Sequence, residues 1–146
     1  MGVLIDNRQK KYRISQKKIR KKAQAILDAL GSPEAELSLV LVDDSEIAGL
    51  NRNYLNREGP TNVMAFPMQA GEFAKISPQL LGDVVISLET AERESRSGEV
   101  SFEERVDQLL IHGILHLFGY DHVNGADEAR RMDGESTKLT EIIKLI

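Results

Sequence analysis

The chain has 146 residues, 41% hydrophobic and 29% charged, with a formal net charge of −4 at pH 7. That length fits a single domain over 1–146, able to bury about two thirds of the surface its unfolded form exposes. The chain has no Cys, which excludes disulfides and thiolate-held metal. It also has no apolar run near ~18 residues and no signal-peptide core, so a cytoplasmic protein with no membrane partner is expected.

Val3 to Ile5 reads as a short apolar strand. Ser15 is placed to cap a helix whose Ile19, Ala23, Ile26, Leu27 and Leu30 form one stripe, stopped at Gly31. Residues 1–22 contain nine basic side chains (Arg8, Lys10, Lys11, Arg13, Lys17, Lys18, Arg20, Lys21, Lys22) against one acid, Asp6. The remaining residues carry 10 basic and 22 acidic side chains, a balance of −12. A cationic segment on an acidic protein is either a solvated helix face or a footprint for a polyanion. Tyr12 is the only ring nearby, too few for base stacking, so contact with phosphate backbone is the expected mode.

Ala35 to Val42 alternates as a strand with Leu37, Leu39 and Leu41 on one face. Asp43 or Asp44 then caps a helix reaching about Tyr54. Asn62 to Phe66 is a short strand closed by Pro67, which suits the edge of a sheet. An irregular loop is expected over Gly71 to Pro78, followed by a strand from Val84 to Leu88 and a short polar helix from Glu89 to about Ser97. Ser101 and Glu104 form a capping box opening a helix whose Val106, Leu109, Leu110, Gly113 and Leu117 run through the core. Ala126 to about Leu145 reads as a last amphipathic helix, in which Met132 is an inward-packing residue or lies under a metal. No Gly-rich phosphate loop joins a strand to a helix, so no nucleotide cofactor is implied.

All three histidines of the chain fall in the run His112-Gly113-Ile114-Leu115-His116-Leu117-Phe118-Gly119-Tyr120-Asp121-His122. Two imidazoles four residues apart project from one helix face. Gly119 can end that helix in the left-handed conformation and let His122 swing toward the other two. Three neutral imidazoles suit zinc, with nickel, copper, cobalt and iron as chemical competitors. Three protein ligands plus water is the pattern of a catalytic site, unless a carboxylate such as Asp121 closes it. Asp121 is alternatively placed to orient a liganding ring. An open site lowers the pKa of the metal's water to about 7 and so predicts hydrolysis. The same spacing occurs in zinc peptidases, which carry a Glu base after the first His. Here that position is Gly113, which either leaves room beside the metal or allows close helix packing.

The motif His112-Gly113 with His116-Leu117 and Gly119-Tyr120-Asp121-His122 resembles the hallmark of the YbeY family of bacterial metal-dependent endoribonucleases. The resemblance continues upstream through Leu50-Asn51-Arg52-Asn53-Tyr54, Pro60-Thr61-Asn62-Val63, Phe66-Pro67 and Gly82-Asp83-Val84-Val85-Ile86-Ser87. It implies an α+β, zincin-like domain with a mixed, roughly four-stranded sheet and about five helices. It also implies a single-strand-specific ribonuclease acting at the 3′ end of small-subunit rRNA and in ribosome quality control. RNA and the ribosome or its proteins would be its partners, and His112, His116 and His122 its metal ligands. Members usually carry Arg after the aromatic matching Tyr54, with a role in catalysis. This chain has Leu55 there, with Arg57 two residues on. Rival readings are a metallopeptidase, a non-catalytic RNA-binding assembly factor stabilised by metal, and a metalloenzyme acting on a small anion.

Overall fold

The computed structural model describes residues 2–68, 80–120 and 125–146. The loop expected over Gly71 to Pro78, and the positions Asp121 and His122, lie outside them. Among the described residues the order is β1 (Val3–Asn7), α1 (Gln16–Ala29), β2 (Glu36–Val42), α2 (Asp44–Leu55), β3 (Val63–Pro67), β4 (Leu80–Ser87), α3 (Leu88–Ser97), α4 (Phe102–Leu117) and α5 (Ala126–Ile143). The strands form one sheet in the order β1-β2-β4-β3. β1, β2 and β4 run parallel, and β3 pairs antiparallel with β4 at the edge, with Pro67 as its last residue. This is an α+β fold with a mixed four-stranded sheet and five helices, and none of these helices is long and apolar enough to cross a membrane.

The local signals explain most of these elements. Ser15, Asp43, Ser87 and Ser101 each accept a backbone N–H of the first helical turn they precede, satisfying donors that the helix itself cannot. Ser101 and Glu104 complete their capping box. In β2 the alternation places Leu37, Leu39 and Leu41 in the core, with Ser38 and Val40 turned to the opposite face. The core lies on the helix side of the sheet, where α1, α4 and α5 pack together over β1, β4 and β3. Ile26 and Leu27 of α1, Leu110 and Ile114 of α4, and Leu139 of α5 are all fully enclosed there. Met132 belongs to this same core and is 0% exposed, so it packs inward. A smaller cluster of Val42, Ile47, Met64 and Val85 seats α2 on the other face.

β4 begins four residues earlier than the Val84 start expected from its apolar run. Gly82 and Asp83 interrupt that run in the sequence, yet Gly82 pairs with Leu37 on one side and Pro67 on the other. It has φ +147°, and a Cβ there would meet the Phe66 carbonyl oxygen, the Pro67 backbone and the Leu117 side chain. Glycine is therefore what allows the edge strand and the end of α4 to close on β4. The strand also stops one residue earlier than expected, at Ser87, because its hydroxyl caps α3 and Leu88 is already helical.

Candidate metal centre

Helix α4 carries the histidines, and its two ends are fixed by different means. Its first turns are tied to α1. Lys22 is only 2% exposed, and its ammonium lies 2.9 Å from Glu103 and from Asp107, while Lys18 reaches Glu103 at 2.8 Å. Burial works against the Lys22 charge, but the two carboxylates more than offset it and hold its pKa above the ordinary lysine value. The Lys18 and Lys22 ammonium groups draw Glu103 down to about 2.

The last turns of α4 lie against the sheet. A Cβ on Gly113 would come within 2.6 Å of Val84 Cγ1 and 3.2 Å of Val63 Cγ2. Real Cβ atoms do not approach that closely, so Gly113 is what lets the helix rest on β3 and β4. Of the two readings of this glycine, the structure supports packing. A side chain at position 113 would be directed at the sheet.

His112 and His116 meet on one side of the helix, as their i, i+4 spacing requires. Their Nε2 atoms are 2.9 Å apart, with ring centroids 4.5 Å apart and planes at 69°. Two ring nitrogens this close need something positive between their lone pairs: a proton on one of them, or a cation shared by both. Tetrahedral ligation at about 2.0–2.1 Å would put two such nitrogens roughly 3.3 Å apart, a few tenths of an ångström from the observed separation. The donor set therefore fits a divalent ion after a small rotation of either ring. Both rings are half-buried, open enough to face a ligand.

The helix then ends as the sequence predicts. Gly119 adopts φ +93°, its N–H donates to His116 O at 3.0 Å, and the Tyr120 N–H donates to Leu115 O at 3.1 Å. This double bond pattern is a Schellman motif, and Tyr120 folds back onto the core beside it. The chain reverses two residues before His122, which itself lies outside the described residues, as does Asp121. Among the described residues no group of three potential metal ligands comes together.

Sequence reasoning missed the polar frame around His112. His112 lines a groove of about 270 Å³ with Asn62, Arg105, Gln108, Asp133, Ser136 and Thr140 among its walls. Arg105 precedes His112 by two helical turns and pairs with Glu94 at 2.9 Å while donating to Gln108 Oε1 at 2.7 Å. The Asn62 amide donates to the same Glu94 carboxylate at 3.2 Å. Glu94 thus joins α3, α4 and the entry to β3 beside the histidine face. No single sequence window contains these three residues, which is why their partnership was not legible.

The segment around Leu55 is also defined. Leu55 ends α2 and is 49% exposed; Asn56 follows in the left-handed region at φ +54°. The Arg57 N–H donates to Asn51 O at 3.3 Å, and the buried Asn51 amide holds Gly59 O at 3.0 Å. Arg57 itself is exposed.

This fold agrees with what the chain is similar to. The model of the family described as Endoribonuclease YbeY matches residues 4–144. The chain belongs to the YbeY family. A curated YbeY endoribonuclease from Syntrophotalea carbinolica is 50% identical over 141 residues, covering 95% of this chain and 94% of that relative. One from Geobacter metallireducens is 48% identical over 145 residues, covering 99% and 97%. Both carry the name Endoribonuclease YbeY, a hydrolase acting on RNA. The solution structure of TM1509 from Thermotoga maritima superimposes with a TM-score of 0.68, covering 97% of this chain and 88% of the other at 23% identity. That likeness establishes the α+β architecture and nothing beyond it.

Proposed function

We propose that this protein is a cytoplasmic, metal-dependent endoribonuclease that cuts single-stranded RNA. Its setting in this reading is ribosomal RNA maturation at the 3′ end of the small-subunit RNA, together with ribosome quality control. The ribosome or ribosomal proteins are its partners. One observation carries the metal-dependent part: the 2.9 Å approach of the His112 and His116 ring nitrogens, on a helix that reverses just before the third histidine. Family membership supports the endoribonuclease part.

His112, His116 and His122 would hold one zinc ion, or another divalent ion such as nickel. When bound, the metal supplies a Lewis acid for a phosphoryl oxygen and lowers the pKa of water. The protein's own residues supply position. Asn62, Gln108, Ser136 and Thr140 offer amide and hydroxyl groups along the groove beside His112, suited to sugar and phosphate oxygens. Arg105, held by Glu94 and Gln108, gives that groove a fixed cation. Asp121 is the nearest carboxylate in sequence and is assigned to orienting a liganding ring.

The peptidase reading loses its chemical basis, since position 113 faces Val84 and cannot present a base to the histidines. The assembly-factor reading keeps one specific observation in its favour, the half-exposed Leu55 where the family's arginine is expected. It predicts salt-sensitive RNA binding without turnover.

The deciding experiment compares the wild type with a His112→Ala, His116→Ala, His122→Ala variant. Elemental analysis, thermal unfolding and cleavage of single-stranded RNA would be measured, with rigorous controls against contaminating RNase. We expect about one divalent ion per wild-type chain, multiple turnover, and a folded variant that has lost both. Cleavage that survives in the variant overturns the metal-dependent reading. Binding without turnover by metal-loaded wild type favours the assembly factor.

A further inference from the structure

The nine cations of residues 1–22 divide into two groups once their partners are known. Four serve the fold: Arg8 pairs with Asp6 and Glu46, Lys11 with Glu89, Lys18 with Glu103, and Lys22 with Glu103 and Asp107. The other five are exposed and form no ion pair among the described residues: Lys10, Arg13, Lys17, Arg20 and Lys21. Among the described residues, Arg20 donates to the Val3 carbonyl oxygen, at 3.3 Å. On α1, Lys17, Arg20 and Lys21 fall at i, i+3 and i+4 and so share one outward face. Lys10 and Arg13 continue the same charge along the approach to the helix.

Internal pairing has therefore filtered the charge run, leaving a cationic strip of five side chains between positions 10 and 21 on a protein whose other residues sum to −9. Exposed cations with no carboxylate of their own to hold them are available to an anionic polymer, and their summed field attracts one. Its position is also defined. The Lys18 and Lys22 pairs set α1 beside the first turns of α4, whereas His112 and His116 lie nine and thirteen residues beyond Glu103. At 1.5 Å per residue, that is roughly 14–20 Å along the helix. The strip offers no stacking surface, because the half-buried Tyr12 ring already packs on Phe102 at a centroid distance of 5.3 Å.

We infer that Lys10, Arg13, Lys17, Arg20 and Lys21 form a second RNA contact, separate from the histidine centre, that binds the phosphodiester backbone without reading sequence. This rests on the endoribonuclease reading above. The strip holds a long single strand while the groove beside His112 takes the nucleotides to be cut. Its contribution depends on length: a trinucleotide seated at the histidines cannot reach it, and a strand of about 20 nucleotides can.

The test replaces Lys10, Arg13, Lys17 and Lys21 with Ala. A control variant loses four exposed charges elsewhere (Arg96, Arg130, Arg131 and Lys144 to Ala), so both reach the same net charge. Binding of a single-stranded RNA of about 20 nucleotides is measured against salt concentration. Each lost phosphate contact should lower the slope of log affinity against log salt by about 0.7, so the strip variant should fall by nearly 3 and the control by far less. With metal-loaded enzyme, the drop in kcat/KM should be at least tenfold larger on the long strand than on a trinucleotide. Equal slopes in the two variants, or equal losses on both substrates, overturn the inference. Stronger binding to anionic phospholipid vesicles than to RNA, lost in the strip variant, overturns it in favour of a membrane surface. Absence of cleavage by the wild type would defeat the nuclease reading alone, because the salt slopes do not depend on turnover.

Discussion

The two halves of α4 solve the same problem, docking a helix into a core, by opposite means. The first half uses charge: Glu103 and Asp107 close on Lys22 from α1, beneath a capping box. The second half uses the absence of a side chain: Gly113 lets the backbone rest on Val84 and Val63, and Gly82 lets Leu117 approach β4. The difference follows from what each half presents outward. The first half turns its paired carboxylates toward α1, and the second half carries the histidines. Close packing at Gly113 fixes His112 and His116 without adding a charge to their side of the helix. A helix can thus be anchored electrostatically at one end and sterically at the other, with the histidines carried on the sterically anchored half.

Breaking the ion-paired end should have the largest effect on stability. Lys22→Met leaves Asp107 facing a nearly closed site without its partner, which should cost about 3 kcal/mol in urea unfolding. Adding Asp107→Leu should recover much of that loss, since an apolar pair can replace a buried ionic one at little cost. If the double variant is as unstable as the single one, the pair is not the feature that anchors this end.

Breaking the packed end should cost less and should reveal what Gly113 is for. Gly113→Ala gains about 1 kcal/mol of helix propensity and loses about 1–3 kcal/mol to crowding against Val84. A net loss of about 1 kcal/mol should follow in thermal or urea unfolding. Val84→Ala in the same chain should relieve it, and ribonuclease activity per folded molecule should be retained. A fall in activity that Val84→Ala does not repair would mean that the glycine keeps space open beside the histidines instead.

These two halves were unequally legible in the sequence. Capping at Ser101 and the helix stop at Gly119 are local hydrogen-bond chemistry within a few residues, and both stand as expected. The i, i+4 histidine pair is equally local. The purpose of Gly113 was not readable, because it depends on which strand lies beneath it. Lys22 was hidden in a different way: within a run of cations nothing distinguishes the one whose partners lie 81 and 85 residues away. Glu94 posed the same difficulty, an acid on a polar helix that meets Asn62 and Arg105 only after folding. The strand order β1-β2-β4-β3 likewise came from the fold and from no single window.

The smallest effect concerns pH and separates the two carboxylates at the charged end, because burial pushes Asp107 up from its ordinary value while the lysines pull Glu103 down. Glu103 is drawn from its ordinary 4.5 to about 2 by Lys18 and Lys22. Because the folded value lies below the unfolded one, its stabilisation is present above pH 4.5 and is lost as pH falls toward 2. Lys22 is shifted the other way. Its contribution is complete below 10.5 and fades only as pH rises through the raised folded value, so it adds no acid dependence. The stability difference between wild type and Glu103→Gln should therefore be level from about pH 5 to neutrality and shrink between 4.5 and 2. It should also be small and weaken with salt, because more than half of the Glu103 side chain is exposed. A difference that stays constant down to pH 2 would mean that Glu103 is not held ionised by the lysines of α1, leaving Asp107 as the sole acid anchoring this end of the helix.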